Sequence, residues 1–115
     1  MGKSQEKGKE GERIAFRYLL EKGYSIIRRN YKSCYGEIDI VAYDPSTETV
    51  VFVEVKLRKE GSAVNPLEAV TPVKQERIKK TALYFLSEEG VAYQNIRFDV
   101  IAVEGEEVNH VENAF

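Results

Sequence analysis

The chain has 115 residues, 43% of them hydrophobic and 31% charged, with a formal net charge of −2. That balance excludes fibrous, low-complexity and disordered chains and fits one soluble domain over residues 1–115 with a single modest core. The opening MGKSQEKGKEGE is too polar for a secretory signal, and no apolar run is long enough to span a bilayer. Cys34 is the single cysteine, which excludes an internal disulfide and points to a reducing cytoplasm. The single histidine, His110, is stranded in a polar C-terminal stretch, so a cysteine–histidine nucleophile is a poor reading. Residues 1–4 and 112–115 read as flexible polar ends.

Gln5 to Lys22 predicts the first helix. Ile14, Ala15, Tyr18 and Leu19 recur at helical spacing, and Gly23 suits the position just past a helix C-terminus. Glu12 lies three and seven positions before Ala15 and Leu19, on the N-terminal continuation of that inward stripe. A first-turn glutamate also favours the positive end of the helix dipole, and spacing alone does not choose between the two roles. Tyr24 to Asn30 then reads as a strand, with a loop over Tyr31 to Tyr35.

Gly36 to Arg58, GEIDIVAYDPSTETVVFVEVKLR, is the stretch around which the chain is organised. Ile38–Tyr43 and Val50–Val55 are rich in β-branched and aromatic residues, with Asp44-Pro45-Ser46-Thr47 as the turn between them. Pairing Asp44 with Thr49 sets the register. Asp39 then faces Glu54 and Glu37 faces Lys56, while Ile38, Ile40 and Ala42 face Val55, Val53 and Val51. Val41 against Phe52 and Tyr43 against Val50 make the second face apolar too, so the hairpin belongs inside a sheet covered on both sides. Opposed side chains on such a pair lie roughly 4.5–5.5 Å apart at Cβ, where like charges are destabilising. Two carboxylates held face to face at one end of a buried hairpin suit a divalent cation.

Lys59 to Asn65 is a polar segment containing Gly61 and is expected to move; Pro66 to Val70 reads as a short helical turn. Thr71-Pro72 is a helix start, threonine as N-cap and proline at the first helical position. Ile78, Ala82, Phe85 and Leu86 form the buried stripe of this second helix, Gly90 ends it, and Gln75 sits at its inward-facing start. Ile96 to Val103 predicts a final strand, with a weak Glu107–Val111 segment behind it. The order α-β-β-β-α-β implies an antiparallel meander, then a crossover that lays the last strand parallel to the third. Both helix N-termini then reach the C-terminal end of the third strand. Glu12, Asp39, Glu54, Lys56 and Gln75 converge there, beside two helix ends suited to phosphate. That convergence favours a site role for Glu12.

A net charge of −2 is unlike most nucleic-acid binders, but its distribution is uneven. Arg28, Arg29 and Lys32 form one basic cluster, Lys56, Arg58 and Lys59 a second, and Lys74, Arg77, Lys79 and Lys80 a third. Acid gathers at Glu104, Glu106, Glu107 and Glu112. Each run taken singly is more simply a solvated face. As candidates for phosphate contacts the chain offers Arg28, Arg29, Lys32, Arg58, Lys74 and Arg77. Asp99, alone in the apolar strand IRFDVIAV, needs a partner, and Arg97 or Arg77 is a simpler one than a metal.

Glu12, Ile38-Asp39 and Glu54-Val55-Lys56 resemble the PD-(D/E)xK signature of restriction-endonuclease-like nucleases, with Ile38 where that pattern often has proline. The blocks EGERIA, GEIDIVA, FVEVKLR, VKQERI and RFDV, in order along nearly the whole chain, more closely resemble the YraN family, small bacterial endonucleases related to archaeal Holliday-junction resolvases. The resemblance implies an α/β restriction-endonuclease-like αβββαβ core, a mixed sheet flanked by helices. It also implies a Mg²⁺-dependent phosphodiesterase, with Mn²⁺ as an alternative, acting on nucleic acid, DNA and branched DNA foremost. Asp39 and Glu54 would be metal ligands, Lys56 the catalytic lysine and Glu12 a supporting acid. Gln75 could position water or the scissile phosphate. Related resolvases act as dimers, which extends to a homodimer here, with Tyr93–Val103 and Val108–Val111 as its surface. Two other readings stand beside the nuclease: a nucleic-acid-binding module without turnover, and a protein-interaction scaffold, which has no use for opposed buried carboxylates.

Overall fold

The computed structural model describes residues 3–58, 70–89 and 95–115. The polar segment Lys59–Asn65, the helical turn expected before Val70 and the Gly90 helix end lie outside these residues. The first helix, α1, runs from Lys3 to Glu21 and buries Ala15 and Leu19 completely. It ends as Gly23 predicts. With φ at 95°, Gly23 donates its N–H to the Leu20 carbonyl and Tyr24 donates to that of Leu19, a left-handed closure that a residue without Cβ adopts freely.

Strands β1 (Ser25–Lys32), β2 (Glu37–Asp44) and β3 (Thr49–Arg58) form the antiparallel meander. Helix α2 (Pro72–Glu89) precedes β4 (Ile96–Glu104), which lies parallel to β3, and β5 (Glu107–Val111) returns antiparallel along β4. The sheet order is β1-β2-β3-β4-β5. The expected αβββαβ core is therefore the observed one, and the weak fifth segment is a strand. Strand β1 starts later and ends later than its apolar pattern indicates, because Tyr24 closes α1 while Tyr31 and Lys32 pair with Ile38 and Glu37.

The turn between β2 and β3 is built on Asp44. Its carboxylate accepts from the Ser46 N–H at 3.1 Å, the Ser46 hydroxyl at 2.6 Å and the Thr47 hydroxyl at 3.0 Å. Burial alone would raise the Asp44 pKa; these hydrogen bonds outweigh it and hold the carboxyl below its ordinary value.

Helix α1 covers one face of the sheet, with Ala15 and Leu19 against Ile40, Ala42, Val51, Val53, Ile101 and Val103. Helix α2 covers the other, with Ile78, Ala82 and Phe85 against Val41, Val50, Phe52 and Val100. That sandwich is why β2 and β3 are apolar on both faces. One expected alternation fails: Ile38 packs with Val41 on the α2 side rather than with Ile40. The break falls at Asp39. Among the described residues no helix is long and apolar enough to cross a membrane.

A second buried carboxylate, Asp99, lies on β4 beside Val53 of β3. Asp99 has the expected partner, Arg97, whose Nε lies 2.9 Å from Oδ1 and Nη2 3.0 Å from Oδ2. Two further partners come from the C-terminal stretch: His110 Nε2 at 2.7 Å and the Asn113 N–H at 3.0 Å. His110 is thus not stranded in a polar tail. Its side chain is 3% exposed, edge-on to Tyr18 and Tyr24, with Nδ1 3.1 Å from the Tyr18 hydroxyl. Nor is 112–115 a free tail, since the Ala114 N–H donates to the Phe98 carbonyl and the Phe115 ring stacks on Phe98. Of the two segments expected to form a dimer surface, β4 is paired on both sides and buries Val100 to Val103, while Val108–Val111 lies on β5, the outer strand of the sheet. Tyr93 lies outside the described residues.

Burial would raise the Asp99 pKa, but His110, Arg97 and Asn113 hold it below its ordinary value. Such a group stabilises the fold above its unfolded pKa of about 3.9, and that contribution is lost as pH falls through the lower folded value. Asp99→Ala should therefore cost about 3–5 kcal/mol at neutral pH, because Arg97 loses its buried counter-charge and His110 its hydrogen-bond partner. Its urea midpoint should also vary less than that of the wild type on acidification. A cost under about 1 kcal/mol would show the network to be ornamental to stability.

Candidate functional site

The β2–β3 ladder begins at Asp44–Thr49, follows the register the hairpin predicts, and ends at Ile40–Val53. Beyond that point β2 stays paired to β1 as far as Glu37, and β3 stays paired to β4 as far as Arg58. The two strands part, each keeping its outer neighbour, and Asp39 stands in the fork. Its Oδ2 accepts the Val55 N–H at 2.7 Å, a side-chain oxygen where a backbone acceptor would otherwise be. Burial first, then the charge of Glu54, push the Asp39 carboxyl up to about 7; Glu12 and Glu37 add to the rise, and the Val55 hydrogen bond opposes it.

Glu54, also buried, is held by two lysines. Lys74 Nζ lies 2.7 Å from Glu54 Oε1, and Lys56 Nζ lies 3.6 Å from the same oxygen. The expected pairing of Glu37 with Lys56 is not made, because the ladder opens before it reaches them. Burial, and then the hydrogen bond and charge of Lys74, push the Lys56 ammonium below its ordinary pKa. Lys74 sits above its own ordinary value: burial pulls it down, but its bond to Glu54 more than compensates.

Lys74 is carried by the first turn of α2. Thr71 caps that turn as its position predicts, its hydroxyl accepting the Lys74 N–H at 3.3 Å and its carbonyl the Gln75 N–H at 2.9 Å. A cavity of about 480 Å³ opens between this turn and the fork, lined by Gly36, Glu37, Asp39, Glu54, Thr71, Val73, Lys74, Arg77 and Ile78. Gly36 lies close beneath α2 at its wall: a Cβ there would come into contact with the Arg77 Cβ and the Thr81 hydroxyl at 3.4 Å.

Four of the five converging residues come together. Glu12 reaches the fork from α1, its pKa raised by burial and then by Glu37, against the pull of Arg29 and an Asn30 hydrogen bond. Asp39, Glu54 and Lys56 complete the group. Gln75 stands apart, its amide donating to the Val70 carbonyl at 3.0 Å and so fixing how the chain joins α2. Of the basic candidates, Lys74 and Arg77 line the cavity, and Lys32 pairs across from Glu37 at the same sheet end. Arg29 stacks 4.4 Å over the Phe16 ring near Glu12, and Arg58 lies opposite Glu104 at the end of β3. Arg28 does not join them, being drawn to Glu89 at the far end of α2 at 2.6 Å. Reading the sequence missed Lys74 as the closest partner of Glu54 and Glu37 as a cavity acid. The position of Lys74 just after a Thr-Pro helix start aimed at the site was the available signal.

Among the described residues no three His, Cys, Asp or Glu side chains form a ready-made metal cluster. The donors nonetheless suit a hard cation, since Mg²⁺ is commonly held by one or two carboxylates with water and phosphate completing its shell. A carboxyl that burial, and then the charge of neighbouring acids, push up to about 7 marks a place where a dication would be welcome.

A mixed five-stranded sheet between two helices, with acids and lysines gathered where β2 and β3 part, defines an α/β protein with the restriction-endonuclease-like αβββαβ core. The chain belongs to the family described as "Uncharacterised protein family UPF0102", the YraN family, whose sequence model matches residues 11–103. A UPF0102 protein of Thermodesulfovibrio yellowstonii is 44% identical over 110 residues, covering 96% of each chain. Another, from Sulfurihydrogenibium sp., is 44% identical over 115 residues, covering 100% of this chain and 97% of its own. Among solved structures, Pyrococcus furiosus SfsA in complex with Ca²⁺ aligns with 95% of this chain and 63% of that one at 19% identity and a TM-score of 0.30.

Asparagine at position 39 keeps an oxygen for the Val55 N–H and removes the charge. The folded Asp39 carboxyl, near 7, lies above the unfolded value of about 3.9, so the metal-free wild type loses stability as pH rises between the two. With chelator at pH about 8, Asp39→Asn should be more stable than the wild type by more than about 1 kcal/mol, the gap narrowing towards pH 4. A lower urea midpoint for Asp39→Asn at the higher pH would make Asp39 a structural ion-pair member instead.

Proposed function

We propose that this protein is a metal-dependent nucleic-acid phosphodiesterase, a structure-selective endonuclease acting in the cytoplasm on DNA, branched DNA foremost. The observation that carries this reading is the fork itself: two carboxylates from neighbouring strands, Asp39 and Glu54, with Lys56 3.6 Å from Glu54 and the first turn of α2 alongside.

Asp39 and Glu54 would hold Mg²⁺ or Mn²⁺, which when bound supplies positive charge at the phosphate and a water of lowered pKa. The chain's own groups do the rest. Glu12 and Glu37 keep the fork negative and so draw a cation towards it. Lys56, whose ammonium is held less firmly than an ordinary lysine's, orients the attacking water and stabilises charge developing on the phosphate. Lys74, held firmly in its charged form at the N-terminal end of α2, receives phosphate oxygens. Arg77 and Lys32 extend that reception along the backbone.

A second reading, a binding domain without turnover, is favoured by one observation: Lys74 already neutralises Glu54 at 2.7 Å. Two measurements separate the readings. Calorimetry with Mn²⁺ should show millimolar to sub-millimolar binding by the wild type, lost in Asp39→Asn; identical isotherms would remove the metal site. Lys56→Ala should lower metal-dependent cleavage at least about 100-fold while leaving nucleic-acid affinity within a few-fold. A pure binder would instead leave every substrate uncut as wild type, and Lys56→Ala would lower its affinity and flatten its salt slope by about one unit.

A further inference from the structure

The outer face of α2 continues the cavity away from the fork. Val73, Arg77, Lys80 and Tyr84 follow one another along it at helical spacing, all exposed. Val73 and Arg77 line the cavity beside Asp39 and Glu54. Lys80 and Tyr84, with Tyr35 and Leu83, line a second recess of about 490 Å³. Seven large hydrophobic side chains are exposed among the described residues, and four of them, Tyr35, Val73, Leu83 and Tyr84, gather here. Scattered singly they would need no explanation; gathered beside the fork they mark a surface that meets something.

The aromatic pair is held in place. The Tyr35 and Tyr84 rings meet edge-on with centroids 6.3 Å apart. The loop carrying Tyr35 closes on itself, the Ser33 N–H donating to the Gly36 carbonyl at 2.8 Å. It is fastened to α2 by the Ser33 hydroxyl, 3.3 Å from that of Thr81. Charge is arranged to match. From Pro72 to Lys80, α2 carries Lys74, Arg77, Lys79 and Lys80 against Glu76 alone. Its acids at the other end, Glu88 and Glu89, are taken by Tyr31 and Arg28 of β1.

We propose that this face is a stacking platform for an unpaired nucleic-acid strand, with bases against Tyr84 and Tyr35 and phosphates led by Lys80 and Arg77 into the fork. The platform rests on the nuclease reading above and adds its substrate class: nucleic acid with a single-stranded stretch beside the cleaved bond. Ring faces accept any base, and a row of cations follows a backbone whatever its sequence. A duplex keeps its bases stacked inside and offers the tyrosines nothing.

The test is fluorescence anisotropy in chelator, where no cleavage occurs. The probes are labelled oligothymidylate and oligouridylate of about a dozen nucleotides and a blunt DNA duplex of similar length. Wild type should bind the single strands more tightly than the duplex, the stronger of the two naming the polymer. Tyr35→Ala and Tyr84→Ala should each weaken single-strand binding about tenfold and leave duplex binding unchanged. Tyr35→Phe and Tyr84→Phe, which keep the ring, should stay within about twofold of wild type. Alanine variants that bind single strands as wild type does would overturn the platform, as would equal losses in the phenylalanine variants. Sedimentation showing a wild-type dimer that Tyr84→Ala dissociates would also overturn it, making the face an interface between copies. The two readings fail separately: unchanged single-strand affinity alongside metal-dependent cleavage removes the platform alone, whereas a wild type that binds no nucleic acid removes both.

Discussion

The parting of β2 from β3 beyond Ile40 and Val53 is the constraint on which the site depends. A ladder continued to the strand ends would press Asp39 against Glu54 inside a sheet sealed on both faces, where neither charge has solvent. Opening the ladder relieves that pressure but strips backbone groups of their partners, and an unpaired buried donor costs about 1–3 kcal/mol. Asp39 limits the loss by accepting the Val55 N–H itself. The same side chain thus stands in the break and partly mends it, and the cavity lies between that break and the first turn of α2.

What surrounds the fork follows from the direction of the elements. Because α2 begins where β3 opens, its capped first turn brings Lys74 onto Glu54. Glu54 then holds two ammonium groups unequally, one close and firmly charged, the other further away and more easily deprotonated. Unequal environments for like groups are how a site assigns them different roles. The outer face of the same helix leads from the fork to the two tyrosines, so one element joins the site to its surroundings.

The two buried aspartates of the sheet show how environment separates function from scaffolding. Asp99 is met by an arginine, a histidine and a backbone N–H, and its pKa falls. Asp39 is buried with other acids nearby and a single backbone N–H to accept, and its pKa rises. The first arrangement ties β4, β5 and the C-terminal residues to the helix above them through Tyr18 and His110. The second stores unfavourable charge where only a cation or a proton relieves it, which is the mark of a site rather than a strut.

Local rules sufficed for the elements and for the hairpin register. Period-two apolar runs, the Asp44 turn, Gly23 and Thr71-Pro72 act through neighbours in the chain, so α1, β2, β3, the start of α2 and the pairing of Asp44 with Thr49 were all legible. The grouping of Glu12, Asp39, Glu54 and Lys56 was legible too, because element order and direction leave few arrangements. Tertiary packing decided the rest. Where the ladder stops depends on β1 and β4 holding the outer edges of β2 and β3, which no local pattern encodes. Gln75 facing Val70, Lys74 displacing Lys56 as the closest cation to Glu54, and Arg28 drawn off to Glu89 each follow from distances set by helix packing. His110 and the last residues read as a loose polar end because their partners, Asp99, Tyr18 and Phe98, lie on other elements. Only the folded sheet brings them within hydrogen-bond and stacking range.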